Sequence, residues 1–294
     1  MQPSHPPNHT PVSRTDRQEH QRDSHFSLAI ESGLKRSFGG TTLLGVQMIT
    51  VGVDLAAEVD RTALAEVAWT DIEARVVSVK VGVDDALIRE RVAWAEKAGV
   101  DCPFGWPDAF VELVLAHRRG DLVSPPSSGR EWRRGLALRE TDIDVHARTG
   151  LTPLSVSADR IAHAAMRWAA VAAALQGDGI DCARDGSGSI AEVYPAAALK
   201  VWGMPHRGYK RTANRQARDA LVGTLIATAP WLAFGEFEAL CRESDDALDA
   251  VISALVARAV ALGETYFPTN EVSALTEGWI HVPSSGLSSL LRIP

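Results

Sequence analysis

Three aspartates crowd the head of one long apolar run, Ser244-Asp245-Asp246-Ala247-Leu248-Asp249-Ala250-Val251-Ile252-Ser253-Ala254-Leu255. Whatever the chain folds into must bury that run and give its acids a partner. Ser244 is placed to cap free backbone N–H groups, and acids in a first turn suit the positive end of a helix dipole, so a helix begins here. Leu248, Ile252, Leu255, Ala259 and Leu262 recur at helical spacing and define a buried face. Asp246 and Asp249, three apart, fall on a common side of it. Capping accounts for one or two of these acids; the third needs another explanation.

Upstream, the periodicity changes from helical to alternating. Residues 49–57 alternate Ile49, Val51, Val53 and Leu55 with small or polar residues, which predicts a strand with Asp54 at its far end. Residues 63–70 and 74–81 read as two further strands about a turn near Asp71, an antiparallel meander. Asp84 and Asp85 then open a helix carrying Leu87, Ile88, Val92 and Ala95, which the pattern predicts to stop at Gly99. A short fourth strand over 99–107 breaks into a Pro- and Gly-rich loop, so Asp101 sits in its strand much as Asp54 sits in the first. Carboxyl ends of adjacent parallel strands open on one crevice, the usual place for a ligand. Singly, an Asp at a strand end is a turn residue bonded to local backbone; two in one crevice ask for more.

Residues 106–150 are the least regular part and are expected to form a helical insertion over the crevice. Arg130, Arg133, Arg134 and Arg139 there either clamp a phosphate or, with Glu131, Glu140, Asp142 and Asp144, form a solvated face. Ser157 is expected to cap a long helix striped by Ile161, Ala165, Trp168, Ala172 and Leu175. The following Gly186-Ser187-Gly188-Ser189 lacks the Lys and the spacing of a phosphate-binding loop. Residues 189–195 predict a fifth strand that stops at Pro195 and adds Glu192 to the acids, and 196–202 continue as a helix. Next, His206, Arg207, Lys210, Arg211, Arg215 and Arg218 surround Tyr209, a basic stretch that suits a phosphodiester backbone or forms an ordinary solvated helix face. Glu277-Gly278-Trp279-Ile280-His281-Val282-Pro283 closes the ordered part, packing back through Trp279 and Ile280.

At 294 residues the chain has room for one large domain or two small ones, and its net charge of −7 excludes a surface that is basic all over while leaving room for a local basic groove. Cys102, Cys182 and Cys241 lie far apart without paired spacing, which points to reduced thiols and a cytoplasmic protein rather than a disulfide framework or a zinc site. No apolar run has the length of a bilayer span, so no membrane is expected. Residues 1–47 form an expected disordered tail, rich in Pro, Ser and charge through residue 27, with His5, His9, His20 and His25 solvated and no secretory signal. Met48, directly before the first strand, is an alternative translation start to Met1. The expected domain is therefore 48–294.

Taken in order, these pieces resemble an α/β fold of the RNase H-like class in its resolvase-like branch: a mixed five-stranded sheet flanked by helices, with a helical insertion after the fourth strand. More narrowly, the chain resembles the domain-of-unknown-function family numbered 429, described as predicted RNase H-like nucleases. The resemblance rests on Gly52-Val53-Asp54-Leu55-Ala56, Asp101-Cys102-Pro103-Phe104-Gly105, Glu192-Val193-Tyr194-Pro195, Tyr209-Lys210, Asp245-Asp246-Ala247-Leu248-Asp249-Ala250 and the segment from Glu277 to Pro283.

That resemblance implies a metal-dependent nuclease acting on DNA or RNA. Asp54, Asp101, Asp246 and Asp249 would hold Mg2+ or Mn2+, with Glu192 an outer or substitute catalytic carboxylate, and Asp245 the alternative to Asp246. Hard cations prefer carboxylate oxygen, and two of them about 4 Å apart can activate water and stabilise a leaving oxygen. Tyr209, Lys210, Arg211 and Arg139 would bind the substrate. The competing reading is a catalytically inactive RNase H-like domain that binds nucleic acid or protein. A phosphotransferase is disfavoured by the absence of a glycine-rich phosphate loop after the first strand. Oligomeric state is open.

Overall fold

The computed structural model describes residues 36–38, 41–43 and 45–291. Two short strands, Arg36–Phe38 and Thr41–Leu43, pair antiparallel within the unit that precedes Gln47. The rest of the expected disordered tail lies outside the described residues. Residues 47–294 form one compact unit.

That unit is built on a seven-stranded mixed sheet. Its strands are β1 (Met48–Asp54), β2 (Ala63–Trp69), β3 (Ala74–Val81), β4 (Lys97–Asp101), β5 (Ile190–Val193), β6 (Leu232–Ala233) and β7 (Ile280–His281), in the order β6-β3-β2-β1-β4-β5-β7. β1, β2 and β3 form the expected antiparallel meander, while β4 pairs parallel to β1 and β5 parallel to β4. The sheet thus has seven strands rather than the five expected. The additions, β6 and β7, are two-residue strands on opposite edges, too short to show alternation.

Among the described residues ten α-helices accompany the sheet: α1 (Asp85–Trp94), α2 (Asp108–Arg119), α3 (Arg130–Ala137), α4 (Glu140–Thr149), α5 (Ala162–Gly177), α6 (Pro195–Val201), α7 (Arg215–Thr228), α8 (Glu238–Glu243), α9 (Asp245–Ala261) and α10 (Glu271–Glu277). One face of the sheet packs on α6, α7 and α9 through Leu199, Leu221, Leu225, Leu248 and Leu255. The other packs on α1 and α5 through Ile88, Val92, Trp168 and Leu175, and Phe104 stacks on Trp168 at 4.9 Å. Covered on both faces, β1 is buried almost throughout rather than half solvated. Among the described residues, no helix is long and apolar enough to cross a membrane.

Two boundaries differ from expectation for tertiary reasons. α1 ends at Trp94, and Gly99 lies inside β4 instead of stopping a helix. A Cβ there would come 2.5 Å from the Ser253 carbonyl oxygen, and one on Gly52 would come 2.0 Å from that of Ala250, so both glycines exist to let α9 lie backbone-close on the sheet. α5 begins at Ala162, after an irregular turn, because the Ser157 hydroxyl is spent on the Leu136 carbonyl at 2.8 Å rather than on a cap.

Candidate metal centre

The site follows from that close packing. Ser244 caps α9 by accepting from the Ala247 N–H at 3.1 Å, as expected. The apolar stripe widens, however, into burial of nearly the whole helix, because sheet and neighbouring helices enclose it. With Gly52 and Gly99 beneath Ala250 and Ser253, Asp249 in the second turn is carried to the carboxyl ends of β1 and β4. There Asp54 and Asp101 are direct partners in the parallel register. Carboxylate oxygens of Asp54, Asp101 and Asp249 all lie within 4.8 Å of one another, and this acidic triad can hold a metal ion.

Asp249 is fully buried and is gripped at both oxygens by consecutive residues. The Tyr209 hydroxyl donates to Oδ1 at 2.8 Å, and the Lys210 ammonium lies 2.6 Å from Oδ2. Burial raises the pKa of Asp249, against the stabilising influence of Lys210 and Tyr209. Burial also pushes Asp101 up to about 7, with the charges of Asp249 and Glu192 adding to it and Lys210 opposing. Asp54 is raised well above the ordinary carboxylate range, by burial first and then by Asp249 and Asp101. The same acids hold Lys210 well above its ordinary value, Asp249 foremost. A cluster of buried like charges that resists ionisation is what an added cation relieves.

The remaining expected residues divide. Asp246 stands apart from the triad, paired with Arg61 at 3.1 Å, yet its charge bears on Asp54 and it lines the same open basin. Asp245 instead braces the backbone, accepting from the Arg211 N–H at 3.1 Å with the Arg218 guanidinium 3.7 Å away. Both line the basin, Asp246 bearing on Asp54 and Asp245 on Asp249. Arg211 has an exposed side chain and a left-handed backbone, φ 76°, unusual for a residue with a Cβ.

Three of the expected side chains are committed to partners within the protein. Glu192 does not join the triad: Arg139 donates to its two oxygens at 2.7 and 2.8 Å, and the Phe104 N–H donates at 2.9 Å. Arg139 is 1% exposed and also binds Asp142, so its guanidinium is held inside the wall by its two acid partners rather than offered as an exposed clamp. Burial alone would lower its pKa, but Glu192 and Asp142 more than offset that. Tyr209, 1% exposed, orients Asp249 rather than touching substrate.

Three contributors escaped the sequence reading. Arg61 and Arg160 line the basin beside Asp54 and Asp246; Arg61 lies on the turn after β1 and could have been placed there by topology. Glu277 is the third. Its carboxylate accepts from the Asp108 N–H at 2.8 Å and the Glu140 N–H at 2.9 Å, tying the starts of α2 and α4 together. No local signal marks that role.

Two cavities flank the triad and share Lys210. One, of about 390 Å3, is the basin of Asp54, Arg61, Arg160, Asp245 and Asp246. The other, of about 320 Å3, runs from Asp101 past Pro103, Leu154, Ile161, Tyr194 and Ala196 to Ile280.

No curated protein and no solved structure matches the chain. Residues 52–273, which hold the triad and all of the sheet but β7 and the start of β1, match the family described as Protein of unknown function (DUF429). With most of its length inside that match, the chain belongs to the DUF429 family.

Proposed function

We propose that this protein is a metal-dependent nuclease of RNase H-like fold, hydrolysing phosphodiester bonds of DNA or RNA. The observation that carries the reading is the convergence of Asp54, Asp101 and Asp249 within 4.8 Å. The five central strands support it, since an antiparallel meander extended by two parallel strands beside its first strand is the arrangement that the RNase H-like resemblance implies.

The donor set fits Mg2+ or Mn2+, because three carboxylates present only hard oxygen and no nitrogen or sulfur. Such an ion, when bound, polarises a phosphoryl oxygen and lowers the pKa of water. The chain's own residues do the rest. Asp54, Asp101 and Asp249 hold the ion, and Asp246 stands at the basin rim as a further carboxylate. Tyr209 fixes the orientation of Asp249 through its O–H. Lys210, Arg61 and Arg160 offer cationic groups to a phosphate entering the basin.

The test is calorimetric titration with Mn2+, joined to cleavage of single-stranded, duplex and branched nucleic acids with chelator as control. Manganese binding together with chelator-sensitive cleavage supports the reading; no heat of binding at any Mn2+ concentration overturns it. One observation favours a second reading, a catalytically inactive nucleic-acid-binding or protein-interaction domain. The Lys210 ammonium, 2.6 Å from Asp249, already supplies a cation to the triad. Oligonucleotide binding that ignores Mn2+, without cleavage, is the result that reading expects.

A further inference from the structure

We infer that the apolar cavity beside the triad is a pocket for one unpaired nucleobase, which makes the substrate single-stranded or locally unpaired nucleic acid. The inference rests on the proposed phosphodiester chemistry and goes further by naming the form of the substrate.

The two cavities that share Lys210 differ in chemistry. The basin is lined by charged groups, with both Arg61 and Arg160 exposed to receive a phosphate backbone. The pocket on the Asp101 side has Pro103, Leu154, Ile161, Ala196 and Ile280 in its walls. Of its charged members, Asp101 and Lys210 stand at the end shared with the triad, and Arg139 and Glu192 are locked together in a two-pronged pair at 2.7 and 2.8 Å. Away from the triad end the wall is therefore close to neutral and gives no purchase to a second phosphate. With a cation held by the triad, a ligand spanning both cavities would be anionic at one end and apolar at the other.

A nucleotide has that division, with its base one sugar away from the phosphate. The half-buried Tyr194 supplies an aromatic ring to the pocket, the residue type on which unpaired bases stack. Leu154, 52% exposed, stands at the mouth, so the pocket is open to an entering group. At about 320 Å3 the pocket is at the small end of ligand cavities, a size for one ring system and too small for a base pair. A duplex therefore has to release a base before it can fill the pocket, at the cost of unstacking.

The experiment compares two oligonucleotides of equal length and charge, an oligothymidylate and its abasic counterpart, by fluorescence anisotropy without divalent metal. The full chain should bind the thymidylate about tenfold more tightly, the scale of one stacked base. Ala196→Leu, which fills the pocket with uncharged atoms, should erase that ratio while leaving abasic binding unchanged. Leu154→Ala, at an exposed residue that does not threaten folding, should reduce it. Equal binding of both oligonucleotides by the unaltered chain overturns the pocket and leaves the nuclease reading standing. Binding of neither overturns the pocket, while the nuclease reading is decided separately by the Mn2+ titration. A ratio that persists in folded Ala196→Leu, verified by circular dichroism, shows that the base is read elsewhere and also overturns the assignment.

Discussion

Asp54 and Asp101 are the last pair in the parallel ladder between β1 and β4. Residues directly opposed in a ladder project to the same face of a sheet, so this register forces two carboxylates together before any helix is added. Asp249 then makes the crowding threefold.

Asp101→Asn should stabilise the metal-free protein at high pH. With its pKa pushed from 3.8 to about 7, folded Asp101 keeps a proton that the unfolded chain releases, so stability is lost as pH rises between those values. The expected gain is on the order of a few kcal/mol above about pH 7.5, shrinking to nothing below about pH 3.5. Urea melts in chelator measure it. In excess Mn2+ the order of stabilities should reverse.

Lys210→Met keeps a long side chain and removes the internal cation. Metal-free stability should drop, because Asp249 loses the charge 2.6 Å from its oxygen. Mn2+ affinity should rise by about one to two orders of magnitude, since a competing positive charge at close range is gone. Calorimetry on both proteins reads the difference; unchanged affinity would mean that the lysine and the ion occupy separate places.

Arg139→Met should cost about 3–5 kcal/mol, because it strands Glu192 and Asp142 as buried acids without their partner. A phosphate-clamping arginine on the surface would leave stability within about 0.5 kcal/mol of the parent. Denaturant midpoints separate the two outcomes directly.

Gly52→Ala should be the most damaging single methyl in the fold. Its Cβ would lie 2.0 Å from one backbone atom of α9 and 2.2 Å from another, so helix and sheet must part. A loss of about 3 kcal/mol or more is expected, measured as a fall in melting temperature together with loss of Mn2+ binding.

His281 gives the protein an acid-sensitive fastening away from the triad. Its Nε2 donates to the Asp185 carbonyl at 3.0 Å, which leaves Nδ1 to accept from the Thr265 hydroxyl at 2.9 Å, and burial lowers its pKa from 6.5 to about 4. Below pH 6.5 the unfolded chain binds the proton and the folded one resists it, so the contribution of His281 to stability should fall by about 3 kcal/mol as pH drops from 6.5 to 4, opposite in sign to that of Asp101. His281→Gln should remove most of that dependence in melts across this range.

Much of the fold was legible because its signals are local. The Ser244 cap, the alternation in β1 and the meander each depend on residues within one element or its neighbour. Asp54 and Asp101 were readable for the same reason, as acids at the ends of apolar strands. What failed was non-local. Gly99 reads as a helix stop until Ser253 is packed against it. Tyr209 and Arg139 look like surface binders until their partners, 40 and 53 positions away, absorb the hydroxyl and the guanidinium. Charge in a sequence shows that a group needs a counterpart, but not whether the chain itself supplies one.

Glu277 gives the helical cover a timetable. The N–H groups it binds, on Asp108 and Glu140, precede it by 169 and 137 residues, so α2 and α4 cannot be tied at their starts until the ribosome has made nearly the whole domain. Contacts of such sequence separation close late and slowly. During synthesis the segments that carry Asp54 and Asp101 are therefore made well before the starts of α2 and α4 can be tied together.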